Sequence, residues 1–265
     1  MKIKIISADE RLKEQYGPKI LIAGRTGIGK TSLARTLNPA ETLYVHSEHG
    51  DLPIRDVPLR AALVESWQEA RDFAVGVAGP NPSYSPISNY SSAHFDNVGG
   101  WIPELDTIKY IIVDSLTDFG RLSLRHCEQQ PENFSRSGQR DIRSAYGQHA
   151  REFLAFLQQL QRARGKIVIF LCILERVTDE FNRSEWHLQI EGQKAERELP
   201  GILDEIITYQ MVPIEDGETI RAFVCTSPNA WNVPAKDRSG LLQQLEPPDL
   251  GKLINKLITK QAKEN

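Results

Sequence analysis

Apolar residues along the chain follow two different spacings. Four short runs are almost continuously apolar: residues 19–23 (K-I-L-I-A), 42–46 (T-L-Y-V-H), 108–113 (I-K-Y-I-I-V) and 166–174 (K-I-V-I-F-L-C-I-L). Runs of this length and density predict strands covered on both faces, as in a parallel sheet. Between them the apolar period lengthens to that of a helix. Residues 31–37 open a helix directly after the first strand, and Trp67, Ala70, Phe73, Ala74 and Val77 share one side of a helix over 66–77. A third helix follows the third strand and runs through Cys127. Ile142, Ala145, Tyr146, Ala150, Phe153, Leu154, Leu157 and Leu160 form a long helical stripe. Strands alternating with helices predict an α/β fold, with a mainly parallel central sheet flanked by helices.

The end of the chain reads differently. Residues 205–212 and 219–226 flank the turn signal Asp216-Gly217, which predicts an antiparallel hairpin extending one sheet edge. Leu250, Leu253, Ile254 and Leu257 predict a terminal helix over 250–258. Three stretches show no clear period. Residues 79–100 are rich in Pro, Ser, Asn and Gly and too long for an ordinary connection, with Tyr84, Tyr90 and Phe95 expected to anchor them. Residues 129–140 and 176–198 are polar, and each follows an element of the sheet layer, where α/β folds place functional loops. The expected organisation is one domain over 1–265, with an extension at 1–18, the insertion at 79–100, and a helix and tail at 245–265.

Composition narrows the class. The chain has 265 residues, with 32 Lys and Arg against 35 Asp and Glu, a formal net charge of −3. Charged residues at 25% and hydrophobic residues at 40% exclude a collagen-like, disulfide-scaffold or largely disordered chain. No run approaches the ~18 apolar residues of a membrane span, and the opening M-K-I-K-I-I is too short for a signal peptide. Cys127, Cys172 and Cys225 lie far apart without a C-x-x-C pair, so free thiols in a reducing cytoplasm are expected. A nucleic-acid partner would need a local basic patch.

The strongest chemical signal follows the first strand. Gly24-Arg25-Thr26-Gly27-Ile28-Gly29-Lys30-Thr31 matches G-x-x-x-x-G-K-[ST], with Ser32 continuing into the helix. In such a loop the glycines let successive N–H groups point at phosphate oxygens, and the helix N-terminus adds its dipole. Lys30 would reach the β- and γ-phosphates and the Thr31 hydroxyl would ligate Mg²⁺. Tyr110-Ile111-Ile112-Val113-Asp114-Ser115 is an apolar strand ending in an acid, which fits either a second magnesium ligand or a helix N-cap. Glu48, in Y-V-H-S-E-H-G, lies just past the second strand. It fits a carboxylate that activates water, or a solvated turn acid. His46 and His49 read as ordinary polar loop residues, because no third ligand converges on them.

The motifs G-R-T-G-I-G-K-T, Y-V-H-S-E-H-G and I-I-V-D-S-L, in this order, resemble the RecA-type P-loop ATPase core. Together with Q-I-E-G, E-L-P-G-I-L-D and P-A-K-D-R-S-G, they resemble phage-encoded RecA-like nucleotide-binding proteins, some of which are single-strand annealing recombination factors. The resemblance implies a Mg²⁺-dependent ATPase in a bacterial host cytoplasm, binding ATP and single-stranded DNA and acting as a homo-oligomer in phage recombination or replication. By the same resemblance Glu48 is the hydrolytic residue, Lys30 and Thr31 serve phosphate and metal, and Asp114 binds the metal. The γ-phosphate sensor falls at Glu175 or Arg176. Against that resemblance, a RecA-type polymerisation helix is not evident in residues 1–18, and no counterpart of the bacterial carboxy-terminal domain is expected in residues 1–265.

Two further groups of cations are candidates. Lys236 and Arg238 fit either cations inserted into a neighbour's nucleotide site or a solvated basic turn. Arg136, Arg140 and Arg143 in one polar stretch, and Arg176, Arg183, Lys194 and Arg197 in the other, are the DNA-binding candidates, with Phe181 and Trp186 interleaved. The same residues also fit an exposed rim. A small-molecule or nucleotide kinase and a non-hydrolysing ATP-gated scaffold are the alternative readings of the whole chain.

Overall fold

The computed structural model describes residues 5–13, 17–135, 137–214 and 217–263. A short helix, α1 (Ala8–Lys13), lies in the N-terminal extension. The predicted strands form as β1 (Lys19–Gly24), β2 (Thr42–His46), β4 (Tyr110–Asp114) and β5 (Ile167–Thr178), with β3 (Arg60–Leu63) added beyond β2. Their helices are α2 (Trp67–Ala78), α3 (Ser92–Asn97), α4 (Leu116–Glu128) and α5 (Ile142–Gln161). After β5 come β6 (Ser184–Leu188), α6 (Gln193–Ile202), β7 (Glu205–Pro213), β8 (Thr219–Val224), β9 (Lys236–Asp237), β10 (Leu245–Glu246) and α7 (Leu250–Lys263). The sheet runs β10-β8-β7-β1-β5-β4-β2-β3, with β6 beside β5 and β9 beside β7. From β7 to β3 every neighbouring pair is parallel, and β8 and β10 join antiparallel at one edge.

Each apolar strand serves two cores, which is why its sequence shows no polar alternation. Leu21 and Ala23 of β1 face one side, with Val113, Phe170 and the inner faces of α2, α4, α5 and α6. Ile20 and Ile22 face the other, with Ile112, Ile169, Ile207 and α7. Ser66 caps α2 through a reciprocal box with Glu69, so the helix starts where the sequence places it.

The structure revises three local expectations. The segment after the glycine-rich loop is a short 3-10 helix, Thr31–Thr36, and Asn38-Pro39 keeps it from extending further. Residues 176–198, expected as a loop, continue β5 to Thr178, return as β6 and enter α6. Backbone pairing from Leu174↔Leu188 to Thr178↔Ser184 organises a sequence too polar to announce a strand. The insertion folds around Tyr90, which is 1% exposed, and Phe95, which packs on the core, whereas Tyr84 stays exposed at 41%. Asp216 of the turn signal lies outside the described residues, but the hairpin β7–β8 forms as expected.

Lys236 and Arg238 do not stand as free cations. β9 pairs with the start of β7, where Ile20 of β1 also pairs, at the end of the sheet opposite Gly24. Lys236 Nζ donates to the carbonyls of Pro200 (2.6 Å) and Leu203 (2.8 Å). Arg238 bonds Asp204 Oδ1 at 3.0 Å, and Asp204 Oδ2 accepts from the Lys19 amide at 2.9 Å. These side chains therefore fasten the link between α6 and β7 to the base of β1. Replacing Lys236 by Ala is expected to lower unfolding stability by about 1–3 kcal/mol with ATP turnover per folded molecule unchanged. Chemical denaturation alongside a turnover assay checks this, and lost turnover at unaltered stability would return Lys236 to the site.

Candidate nucleotide site

The site sits where β1 stops. Gly24 pairs with Ile173 of β5, and Ala23 pairs with Thr208 of β7. Both neighbours run on, β5 to Thr178 with β6 and β7 to Pro213 with β8, so two hairpin arms rise past the end of β1. The loop from Gly24 to Ser32 fills the gap between them. Two glycines there are dictated by geometry. A Cβ on Gly24 would fall 2.7 Å from the Tyr209 carbonyl oxygen, and Gly29 adopts φ +105°. Among the described residues, the Gly27 and Gly29 N–H groups donate to no other backbone group, which leaves them available to an anion.

Lys30 folds back along the loop, donating to the carbonyls of Gly24 (2.7 Å) and Arg25 (3.1 Å). Burial lowers its pKa, and the nearby Asp114 opposes that shift. The Thr31 hydroxyl donates to Asp114 Oδ2 at 2.7 Å, and the Tyr44 hydroxyl donates to the same oxygen at 2.9 Å. Burial, with Asp114 beside it, raises the Tyr44 pKa, so the phenol remains a donor. Asp114 ends β4, two strands from β1, and reaches the loop because β5 alone separates them.

Glu48 lies beyond β2, whose His46 pairs with Asp114 in the parallel register. Lys30, Thr31, Ser32, Tyr44, Glu48, Asp114 and Asp118 all line one cavity of about 400 Å³. Asp118, on the first turn of α4, raises the Glu48 pKa by its charge, followed by Glu48's partial burial. Asp118 is in turn held by Arg121 at 2.8 Å and by the Ser115 hydroxyl. His46 is buried against Tyr44 at 5.1 Å and its ring meets the Glu48 carbonyl, while His49 is exposed.

The donor set fits magnesium. A hydroxyl and a carboxylate, 2.7 Å apart on a cavity wall beside a phosphate loop, are the few hard oxygen ligands that Mg²⁺ takes from protein when phosphates and water supply the rest. A second cavity, about 570 Å³, joins Arg25 and Thr26 to Glu175, Arg176, Trp186 and Gln189. Both candidate sensor positions thus border the same cavity as the loop, and Glu175 accepts from Gln189 at 3.2 Å.

The DNA candidates are spread over three elements. Arg140 and Arg143 stand exposed at the start of α5, Arg176 and Arg183 on the β5–β6 arm, and Lys194 and Arg197 on α6. Arg136 lies outside the described residues. The arm is not a basic patch, since residues 175–185 hold Glu175, Asp179, Glu180 and Glu185 against Arg176 and Arg183. Its tip does present Phe181, 70% exposed, with the Arg183 guanidinium 5.8 Å from the ring centre.

Sequence reasoning missed Tyr44, Asp118, Tyr209 and Arg221. Ser115-Leu116-Thr117-Asp118 carried a readable signal, the capping-box spacing that puts an acid on the first helical turn. Tyr44, Tyr209 and Arg221 sit inside strands and reach the loop only through strand order.

Among the described residues no helix is long and apolar enough to cross a membrane. A search of curated proteins gave no match. Among solved structures, the chain is similar to a prototypical ATPase from the type III secretion system of pathogenic bacteria, at 16% identity and a TM-score of 0.40. That similarity covers 74% of this chain and 52% of the other, so the chain spans about half the length of that ATPase. A family described as an AAA domain matches residues 16–239, the stretch holding the phosphate loop, Glu48 and Asp114, and the chain belongs to this family of P-loop ATPases.

Proposed function

We propose that the protein binds Mg²⁺–ATP between β1 and the Thr31–Thr36 turn and hydrolyses it. The observation that carries this reading is the Thr31–Asp114 hydrogen bond at 2.7 Å, inside a cavity that also holds Lys30 and Glu48. Thr31 and Asp114 would hold the metal, which when bound neutralises charge on the β- and γ-phosphates. The loop amides and Lys30 bind and orient those phosphates. Glu48 takes a proton from water as its oxygen attacks the γ-phosphorus, and the bond to the β–γ bridging oxygen breaks, giving ADP and inorganic phosphate.

The fuller reading is an ATPase of the RecA-like kind, organised as one domain, that binds single-stranded DNA in phage recombination or replication. Its support is the motif resemblance together with the exposed Phe181–Arg183 pair, a stacking face beside a cation. The acidic residues of the arm restrict this role to its tip.

Turnover of ATP to free phosphate, measured with and without single-stranded DNA across protein concentrations, tests both levels. Turnover is expected, rising with DNA. Lys30→Ala should reduce it about a hundredfold or more, and Glu48→Gln should retain ATP binding while slowing hydrolysis by about two to four orders of magnitude. Tight binding with negligible turnover under every condition would identify an ATP-gated scaffold, and phosphate release only with an acceptor would identify a kinase.

The pH profile tests Glu48 separately. The base must be ionised to act, and the charge of Asp118 raises its pKa, so wild-type activity falls away early on the acid side. Asp118→Asn removes that charge and frees Arg121 to favour the ionised form, so the acid limb should move to lower pH. An unmoved limb would place the titrating base elsewhere.

A further inference from the structure

The position of the acids fixes which way a bound triphosphate points. Asp114 and Glu48 lie on the β4–β2 side of the phosphate loop, so the γ-phosphate belongs there. The sugar end must leave on the other side, toward β7. On that side a cavity of about 420 Å³ opens, floored by loop residues 25–28 and walled by Trp186, Tyr209, Met211 and Arg221. Its volume is in the range of small-ligand sites.

We propose that this cleft is the nucleoside half of the site, taking an aromatic base against Trp186 and Met211, with Arg221 meeting the phosphate next to the sugar. The proposal rests on the ATP-binding reading above and adds what distinguishes a nucleoside triphosphate from bare polyphosphate. Three observations carry it. First, Trp186 of β6 lines both this cavity and the adjoining one against Arg25 and Thr26, so an aromatic face stands beside the loop and is only half-buried. Second, Arg221 Nη1 and the Tyr209 hydroxyl each lie 3.8 Å from the point a side chain on Gly29 would occupy, within reach of a phosphate cradled by the loop. Arg221 meets the Tyr209 hydroxyl, and among the described residues no carboxylate pairs with it, so its charge is not already neutralised. Third, Gln210 also lines this cavity, and behind it its side-chain amide nitrogen is buried without a hydrogen-bond partner among the described residues.

Stacking on one aromatic face is sequence-tolerant and strong enough to be measured by truncation. The cation at Arg221 would add a charge-assisted contact to the phosphate. Neither group touches the atoms that react: Arg221 acts on affinity for any polyphosphate, and Trp186 on the preference for a nucleotide.

Binding of Mg²⁺–ATP and of Mg²⁺–tripolyphosphate, measured side by side by calorimetry, tests the proposal. Wild-type protein is expected to bind ATP more tightly than tripolyphosphate. Trp186→Ala should weaken ATP about tenfold and leave tripolyphosphate within about twofold, while Trp186→Phe keeps a stacking face and most of the preference. Arg221→Ala should weaken ATP and tripolyphosphate alike, because tripolyphosphate fills the same phosphate position. The proposal is overturned by unchanged ATP affinity in Trp186→Ala, or by an equal loss for both ligands in both Trp186 variants. Loss of tripolyphosphate binding in wild-type protein would instead bring down the phosphate-loop reading, and the nucleoside cleft with it.

Discussion

The whole site depends on one strand ending early. β1 is enclosed by β5 and β7, and its six residues are buried on both faces, so it cannot shift without breaking both cores. Its last residue is Gly24, where only glycine fits because a Cβ would collide with the Tyr209 backbone. Its neighbours continue upward, and the chain must turn within the slot they leave. A backbone forced to turn in a slot points its N–H groups into the opening, which is the geometry an anion needs.

Charge is arranged around that slot in two layers. Asp114 is committed by two hydroxyl donors, Thr31 and Tyr44, which hold its oxygen toward the loop. Glu48 is held more loosely, exposed and facing Asp118, whose charge makes Glu48 easier to protonate. The first carboxylate is suited to holding a cation and the second to exchanging a proton. The difference comes from environment, since the two residues carry the same functional group. At the far end of the sheet, Lys19, Lys236 and Arg238 are tied to carbonyls and to Asp204, so that end is occupied by structural contacts.

The fold was legible wherever burial imposed a pattern. The four inner strands, α2 with its Ser66 cap, α5 and the β7–β8 hairpin follow directly from apolar spacing and turn chemistry. The phosphate-loop motif, Asp114 and Glu48 were legible as candidates because a phosphate-binding pattern sets residue types at fixed offsets from a strand, and the fold gathers Lys30, Thr31, Glu48 and Asp114 around one cavity. The β5–β6 arm was not, because S-E-W-H-L gains its order from pairing with a neighbour and carries little apolar signal of its own. Lys236 and Arg238 read as trans-acting cations or a solvated basic turn because their acceptors, backbone carbonyls of Pro200, Gly201 and Leu203 and a carboxylate at Asp204 34 positions away from Arg238, are joined to them only by the fold. The segment after the loop was legible in extent but not in winding, since S-L-A-R reads as helical while the chain takes a 3-10 helix over Thr31–Thr36.

A crystal structure with Mg²⁺ and a non-hydrolysable ATP analogue tests the central claim most directly. The account predicts the triphosphate along residues 24–32, with the metal bound between the Thr31 hydroxyl and Asp114. A nucleotide seated elsewhere, or Asp114 still bonded to Thr31 with no metal beside it, would contradict the account.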